Sequence, residues 1–343
     1  MKIWFACIRI ALMALAVAAV ASAANPAFAQ QRNSDGSVNP TASAVKEDQL
    51  LKALGATGHI SGRVSIPDQK SGTLIQPEGQ RWRHFHQVTL PWIGVIAIVG
   101  MLGILVLFYL FRGMVRLERG RSGRVIVRFN SLERMVHWMT ATCFIVLAFS
   151  GLNITFGKTL LLPLLGADTF ASMTQIGKYL HNYLSFPFTI GVVLIFLMWF
   201  AGNLPRAVDM EWVKRGGGIV GNDHPPAGRF NAGQKMIYWI VVIGGGAVAA
   251  SGYLLMFPFY ATDIVGMQIA QIVHGTVAAL FIAAMLGHIY IGTIGMEGAF
   301  EGMGTGTVDA NWAKQHHSLW FAEEQAKAEQ DAARAHPSAT PAE

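Results

Sequence analysis

Charge is scarce in this sequence: 13% of its 343 residues are Asp, Glu, Lys or Arg, while 52% are hydrophobic. A water-soluble domain of ordinary composition carries about 25% charged residues, so the bilayer is the expected solvent. Cysteine is nearly missing as well. Cys7 and Cys143 alone cannot build a disulfide framework, a zinc site or a cysteine-ligated iron–sulfur cluster within the chain. There is no C-x-x-C-H segment for covalent haem attachment, so any haem must be held by side chains such as His or Met. No nucleic-acid motif accompanies the net charge of +6. The Arg and Lys residues gather between long apolar runs, where anionic lipid and membrane topology account for them.

Residues 1–29 read as a secretory signal. Lys2 and Arg9 precede an apolar run from Ile10 to Ala24, and Ala27-Phe28-Ala29 places small residues for cleavage. An uncleaved anchor is the alternative, against which stand the shortness of the run and Pro26. Residues 30–86 are polar and read as an exported arm, with weak strand alternation in "HISGRVSIPDQKSGTLIQP". Apolar segments follow near 88–111, 135–156, 179–202, 236–258 and 265–295, each reaching the ~20 residues a helix needs to cross hydrocarbon. The expected fold is all-α and polytopic, with an additional span at 87–112, a four-helix bundle over 129–296 and a polar tail over 297–343. An exported arm and five crossings put the tail in the cytoplasm of a bacterium and the protein in its inner membrane. The distribution of basic residues points the same way. The stretch from Arg112 to Arg134 holds seven arginines, "NLPRAVDMEWVKRGGG" is also basic, and Phe259 to Ile264 holds no basic residue.

His137, His181, His274 and His288 lie in or at the ends of spans, where ionisable residues are costly and mark functional sites. Any one of them can instead be a hydrogen-bonding residue between helices. As a set they make a pattern. His274 and His288 share one uninterrupted span and project from nearly the same face, about 21 Å apart along the axis. With the topology above, His274 and His181 fall at the outer level, and His288 and His137 at the inner level. Two pairs result, His137/His288 and His181/His274, each suited to axial ligation of a haem iron. Gly275, Gly287 and the run "VIGGGAVAASG" offer room for a flat macrocycle, or else are small residues at helix contacts. Met135, Met139, Met256 and Met267 are read as packing. His84, His86 and His224 are read as solvated or interfacial, and His316 and His317 as partner contacts beyond the membrane.

From Phe129 onward the chain resembles the gamma subunit family of respiratory formate dehydrogenases, the membrane cytochromes b556. The resemblance rests on "RFNSLERMVHW", "GKYLHNYLSF", "GRFNAGQKMIYW", "VHGTVAALFIAAMLGHIY" and "EGMGTGTVDANWAKQHHSLW". It implies two haem b groups on the four histidines, and a quinone near the inner one at the positions matching Asn231 and Gly233. It also implies a formate dehydrogenase catalytic (alpha) subunit and an iron–sulfur (beta) subunit as partners, since this chain has no ligands for a molybdenum or tungsten cofactor. Electrons would pass from the iron–sulfur partner through both haems to quinone. Helix capping is the other reading of Asn231, because "FNAGQK" opens a span. The signal, the arm and the span near 88–111 have no counterpart in shorter members of that family. Two rival functions remain at this level: the cytochrome b subunit of a hydrogenase or other molybdoenzyme, and a haem-free anchor or proton-relay transporter.

Overall fold

Polar residues start three of the five spans that the sequence leads one to expect. In a computed structural model, which describes residues 77–218 and 223–335, Asn130 caps the second span and Glu133 returns the bond in a capping box. Asn231 and Gln234 do the same for the fourth, and Asp263 caps the fifth by accepting from the Gly266 N–H. The expected signal, nearly all of the arm, its strand-like stretch and the last residues of the tail lie outside the described residues.

Among the described residues, five helices are long and apolar enough to cross a membrane: Arg81–Arg112, Ser131–Leu160, Ala167–Trp199, Ala232–Met256 and Ile264–Gly295. They are the first to fifth spans. The third begins well before its apolar run, because no proline interrupts the polar stretch that follows Gly166. The fourth passes through a π-helical turn at Ile240–Gly244, and the fifth ends in another at Ile291–Gly295.

Lipid gives no hydrophobic drive between helices, so close packing at small residues has to hold the bundle. Gly191 on the third span lies against Thr140 on the second, and Gly245 on the fourth against Val192 on the third. Between the histidine levels Phe144, Phe188 and Phe281 meet, the closest ring pair being Phe144 and Phe281 at 4.8 Å between centres. The first span packs on the fifth: a Cβ at Gly275 would meet Leu90 at 2.6 Å, and Phe108 stands edge-on to Tyr290. Gly275 and Gly287 therefore serve the first span, Leu90 at one and Met101 at the other, and not the macrocycle that the sequence allowed. Outward faces are apolar, with Phe111 88% exposed.

The stretch between the first two spans and the tail build a module that the sequence did not announce. Strand Val125–Val127 pairs antiparallel with Thr307–Asp309. Three-residue strands leave no periodicity to read. Gly306, at φ +94°, is in a region closed to most side chains, and its carbonyl accepts from the N–H groups of Arg128 and Phe129. Helices Ala299–Gly304, Ala310–His316 and Ser318–Ala335 complete the tail. Val115, Leu117, Met296, Val308, Trp312, Ala313 and Trp320 form its core.

Candidate functional site

His137 enters near the start of the second span and meets His288 near the end of the fifth, with ring centres 6.2 Å apart and planes at 60°. His181, in the third span, meets His274 in the fifth at 6.1 Å and 65°. The structure thus brings together the four histidines singled out from the sequence, in the two pairs expected from depth. Two imidazoles on opposite sides of one metal, with bonds of about 2 Å, stand roughly 6 Å apart between ring centres. Both separations fit. Among the described residues no group of three or more His, Cys, Asp or Glu is placed to hold a bare metal ion. A metal on either pair would need its other ligands from a macrocycle, which is what haem supplies.

The surroundings of the two pairs differ. Around His181 and His274, glycines clear the rings: a Cβ at Gly151 would lie 3.5 Å from His181 Cε1, and one at Gly252 would lie 3.1 Å from His274 Cε1. Ser150 Oγ is 2.8 Å from His181 Nδ1, and Ser251 Oγ is 3.2 Å from His274 Nδ1. Neither serine was singled out from the sequence. Each sits on a neighbouring helix, and only packing reveals which ring it serves. At the other pair, His137 Nδ1 is buried without a hydrogen-bond partner.

Asn231 and Gly233 open the fourth span at the His137 end of the bundle. Phe230, next to Asn231, and Val136, next to His137, share one core with Phe129, Trp199 and Tyr238. The capping role weighed for Asn231 is present, since its Oδ1 accepts from the Gln234 N–H at 2.9 Å. Its amide NH2 is not used by that cap. Gly233 is the second helical residue, so its N–H has no carbonyl four residues back within the helix. It lies under Trp212, whose ring would be 3.1 Å from a Cβ there.

Next to this end lies a cluster whose burial the sequence did not announce. His316 and His317 were read as partner contacts beyond the membrane, yet both are buried within the chain, His317 to 1% exposure. Arg128 Nη2 donates to the Arg229 carbonyl at 2.7 Å and lies 3.1 Å from His317 Nε2. The Arg128 guanidinium is within 5.3 Å of the ring centres of Phe129, Trp312 and Trp320, a cation–π enclosure. Arg229 pairs with Glu133 at 2.7 Å, and Glu133 also accepts from Trp199 Nε1. Burial, reinforced by Arg229, pulls the Arg128 guanidinium down to about 9. Burial, with His224 and Arg128 beside it, brings His316 down to about 4, and burial beside Arg128 pushes His317 well below the ordinary histidine value. His224 stands 3.0 Å from Glu118. Of the seven arginines counted from Arg112 to Arg134, Arg128 and Arg134 are internal.

Comparison with known proteins supplies the last observation. The profile of the prokaryotic cytochrome b561 family matches residues 128–306. Over 217 residues the chain is 29% identical to the nitrate-inducible formate dehydrogenase cytochrome b556(Fdn) subunit of Escherichia coli (strain K12), covering 61% of this chain and 97% of that protein. It is 31% identical over 202 residues to the formate dehydrogenase cytochrome b556(fdo) subunit of the same strain, covering 58% and 92%. With the formate dehydrogenase cytochrome b556 subunit of Haemophilus influenzae the figures are 28% over 220 residues, 62% and 88%. The first span precedes the family match, whereas the second to fifth spans and both histidine pairs fall inside it. Because that match takes in more than half of the chain, this protein belongs to the prokaryotic cytochrome b561 family.

Proposed function

We propose that this chain is the membrane subunit of a formate dehydrogenase, passing electrons from an iron–sulfur subunit to quinone and anchoring the catalytic subunit to the bilayer. Membership of a cytochrome b family carries haem b with it. The observation that bears most on the number of haems is the pair of histidine separations, 6.2 and 6.1 Å, at two depths of one bundle. Two haem b groups, one on His181 and His274 and the other on His137 and His288, supply reversible one-electron chemistry across the membrane when bound.

The protein's own side chains do the rest. Rigid spans hold each imidazole pair facing, and the aromatic plug of Phe144, Phe188 and Phe281 fills the space between the levels and excludes water. At the His137 end, the Asn231 amide and the Gly233 N–H are donors for a quinone carbonyl. The exposed arginines of the 112–134 stretch support a cytoplasmic side there, with the arm and the His181/His274 pair toward the periplasm. Formate chemistry is assigned to the catalytic subunit, and this chain takes up the electrons that it releases. The likeness to three bacterial formate dehydrogenase cytochrome subunits supports formate as the ultimate donor.

The reading is tested on the complex purified from membranes. Two haem b per chain and a reduced b-type α-band that appears on adding formate are expected. A colourless preparation, or a haem band that dithionite reduces and formate does not, would overturn it.

A further inference from the structure

We infer that Ser150 and Ser251 are positioning residues that hold the His181/His274 site at a lower reduction potential than the His137/His288 site, and so give electron flow its direction. The inference rests on the reading that each pair binds one haem b.

The hydrogen bonds fix where the protons are. A serine hydroxyl has one hydrogen. Ser150 Oγ lies 2.7 Å from the Val146 carbonyl, four residues back on its own helix, and a carbonyl only accepts, so the hydroxyl hydrogen goes there. What Ser150 then offers His181 Nδ1, at 2.8 Å, is a lone pair. Ser251 repeats the arrangement, donating to the Ala247 carbonyl at 2.6 Å and facing His274 Nδ1 at 3.2 Å. The Val248 carbonyl, 3.0 Å from the same Nδ1, is independent proof of the tautomer, since it too can only accept. Both rings therefore carry their proton on Nδ1 and present a bare Nε2 for iron.

The other pair is built without such acceptors. His137 Nδ1 is buried and has no hydrogen-bond partner, and no protein hydrogen bond to a His288 ring nitrogen occurs among the described residues. An Nδ1–H that donates to oxygen makes its imidazole more electron-rich and a better ligand for the oxidised metal. In a low-dielectric bundle that effect is little screened. Two acceptor-backed rings at one site and none at the other set the first site lower. One electron then leaves the His181/His274 site as it is oxidised and arrives at the His137/His288 site as that is reduced. Both Nδ1 protons stay in place. The direction agrees with entry from an iron–sulfur partner on one side and exit to quinone on the other.

Redox titration of the holoprotein, read by haem absorbance, tests this. The wild type should show two haem b per chain with two resolved potentials, and His181→Ala should retain only the higher. Ser150→Ala should raise the lower potential, Ser251→Ala should raise it less because the Val248 carbonyl still accepts from His274 Nδ1, and both should leave the higher one unmoved. The double variant should shift the oxidised-to-reduced ratio about tenfold, which is 59 mV for a one-electron couple. Ser150→Thr and Ser251→Thr, which keep a hydroxyl, should hold the wild-type value. If Ser150→Ala binds no haem, Ser150→Cys, with its weaker acceptor, carries the same expectation. Two haems whose lower potential ignores all these changes, or whose potentials are equal in the wild type, would overturn the inference alone. A wild type with one haem would overturn the two-haem reading and the inference with it.

Discussion

Inside the bundle, Phe144, Phe188 and Phe281 meet in an apolar plug between helices, while outside it a guanidinium stacked among Phe129, Trp312 and Trp320 does the equivalent work. The spans can accept many apolar side chains of similar volume, because fit and not chemistry determines their contacts. The module cannot. Arg128 bonds the Arg229 carbonyl and meets His317, and Asp309 gathers N–H groups of Ser122, Gly123 and Asn311, so each is tied to partners of specific donor or acceptor type. The lesson is that the membrane part is robust in sequence and the polar part fragile, although the polar part looks like an ordinary charged surface.

The largest expected effect lies with Arg128. Arg128→Ala removes a buried cation, leaves its acceptors unpaired and opens a cavity among three rings, and should cost about 3–5 kcal/mol in the module. Limited proteolysis should then cut the tail much faster than in wild type, whereas Phe281→Leu in the bundle should leave tail cleavage unchanged. Equal cleavage in the two variants would dissolve the contrast.

An intermediate effect should come from acid. His316 and His317 are neutral in the fold, with values pulled down from the ordinary 6.5, to about 4 for His316. A base whose folded value is depressed takes up its proton more readily when unfolded. Its stabilising contribution is complete above pH 6.5 and is lost as pH falls toward 4. Fluorescence of Trp312 and Trp320, or protection of the tail, should decline through that window, and a His317→Gln variant should show a flatter decline. A tail that stays fully protected down to pH 4 would show that these histidines do not couple to folding.

The smallest effect should belong to Asn231. Losing its cap costs about 1 kcal/mol, so Asn231→Ala should keep the haem spectrum and nearly all stability. Its reoxidation by quinone should slow severalfold, because the amide donor has gone. Unchanged reoxidation kinetics would leave Asn231 a cap alone and sharpen the division between site and scaffold.

Much of this was legible in the residues. His274 and His288 lie on one helix, whose rise fixes their separation along the axis, and His137 and His181 follow from chain direction. Capping at Asn231 was legible because the motif is local. The burial of His316 and His317 was not, since "QHH" in a polar tail carries no sign of the Trp312 and Trp320 rings that close over it. The roles of Gly275 and Gly287 were misleading for a similar reason: a glycine marks a close approach without saying what approaches.

The sequence by itself determined the spans and the relative depth of each histidine, because helical rise and the thickness of hydrocarbon are fixed lengths, and it offered the cap at Asn231 because that motif is local. Only the tertiary structure decided that Ser150 and Ser251 face histidine rings, that Leu90 fills the gap at Gly275, and that Arg128 is internal. Those contacts depend on the rotation of each helix about its axis and on pairing between distant segments. Neither quantity is written in local spacing.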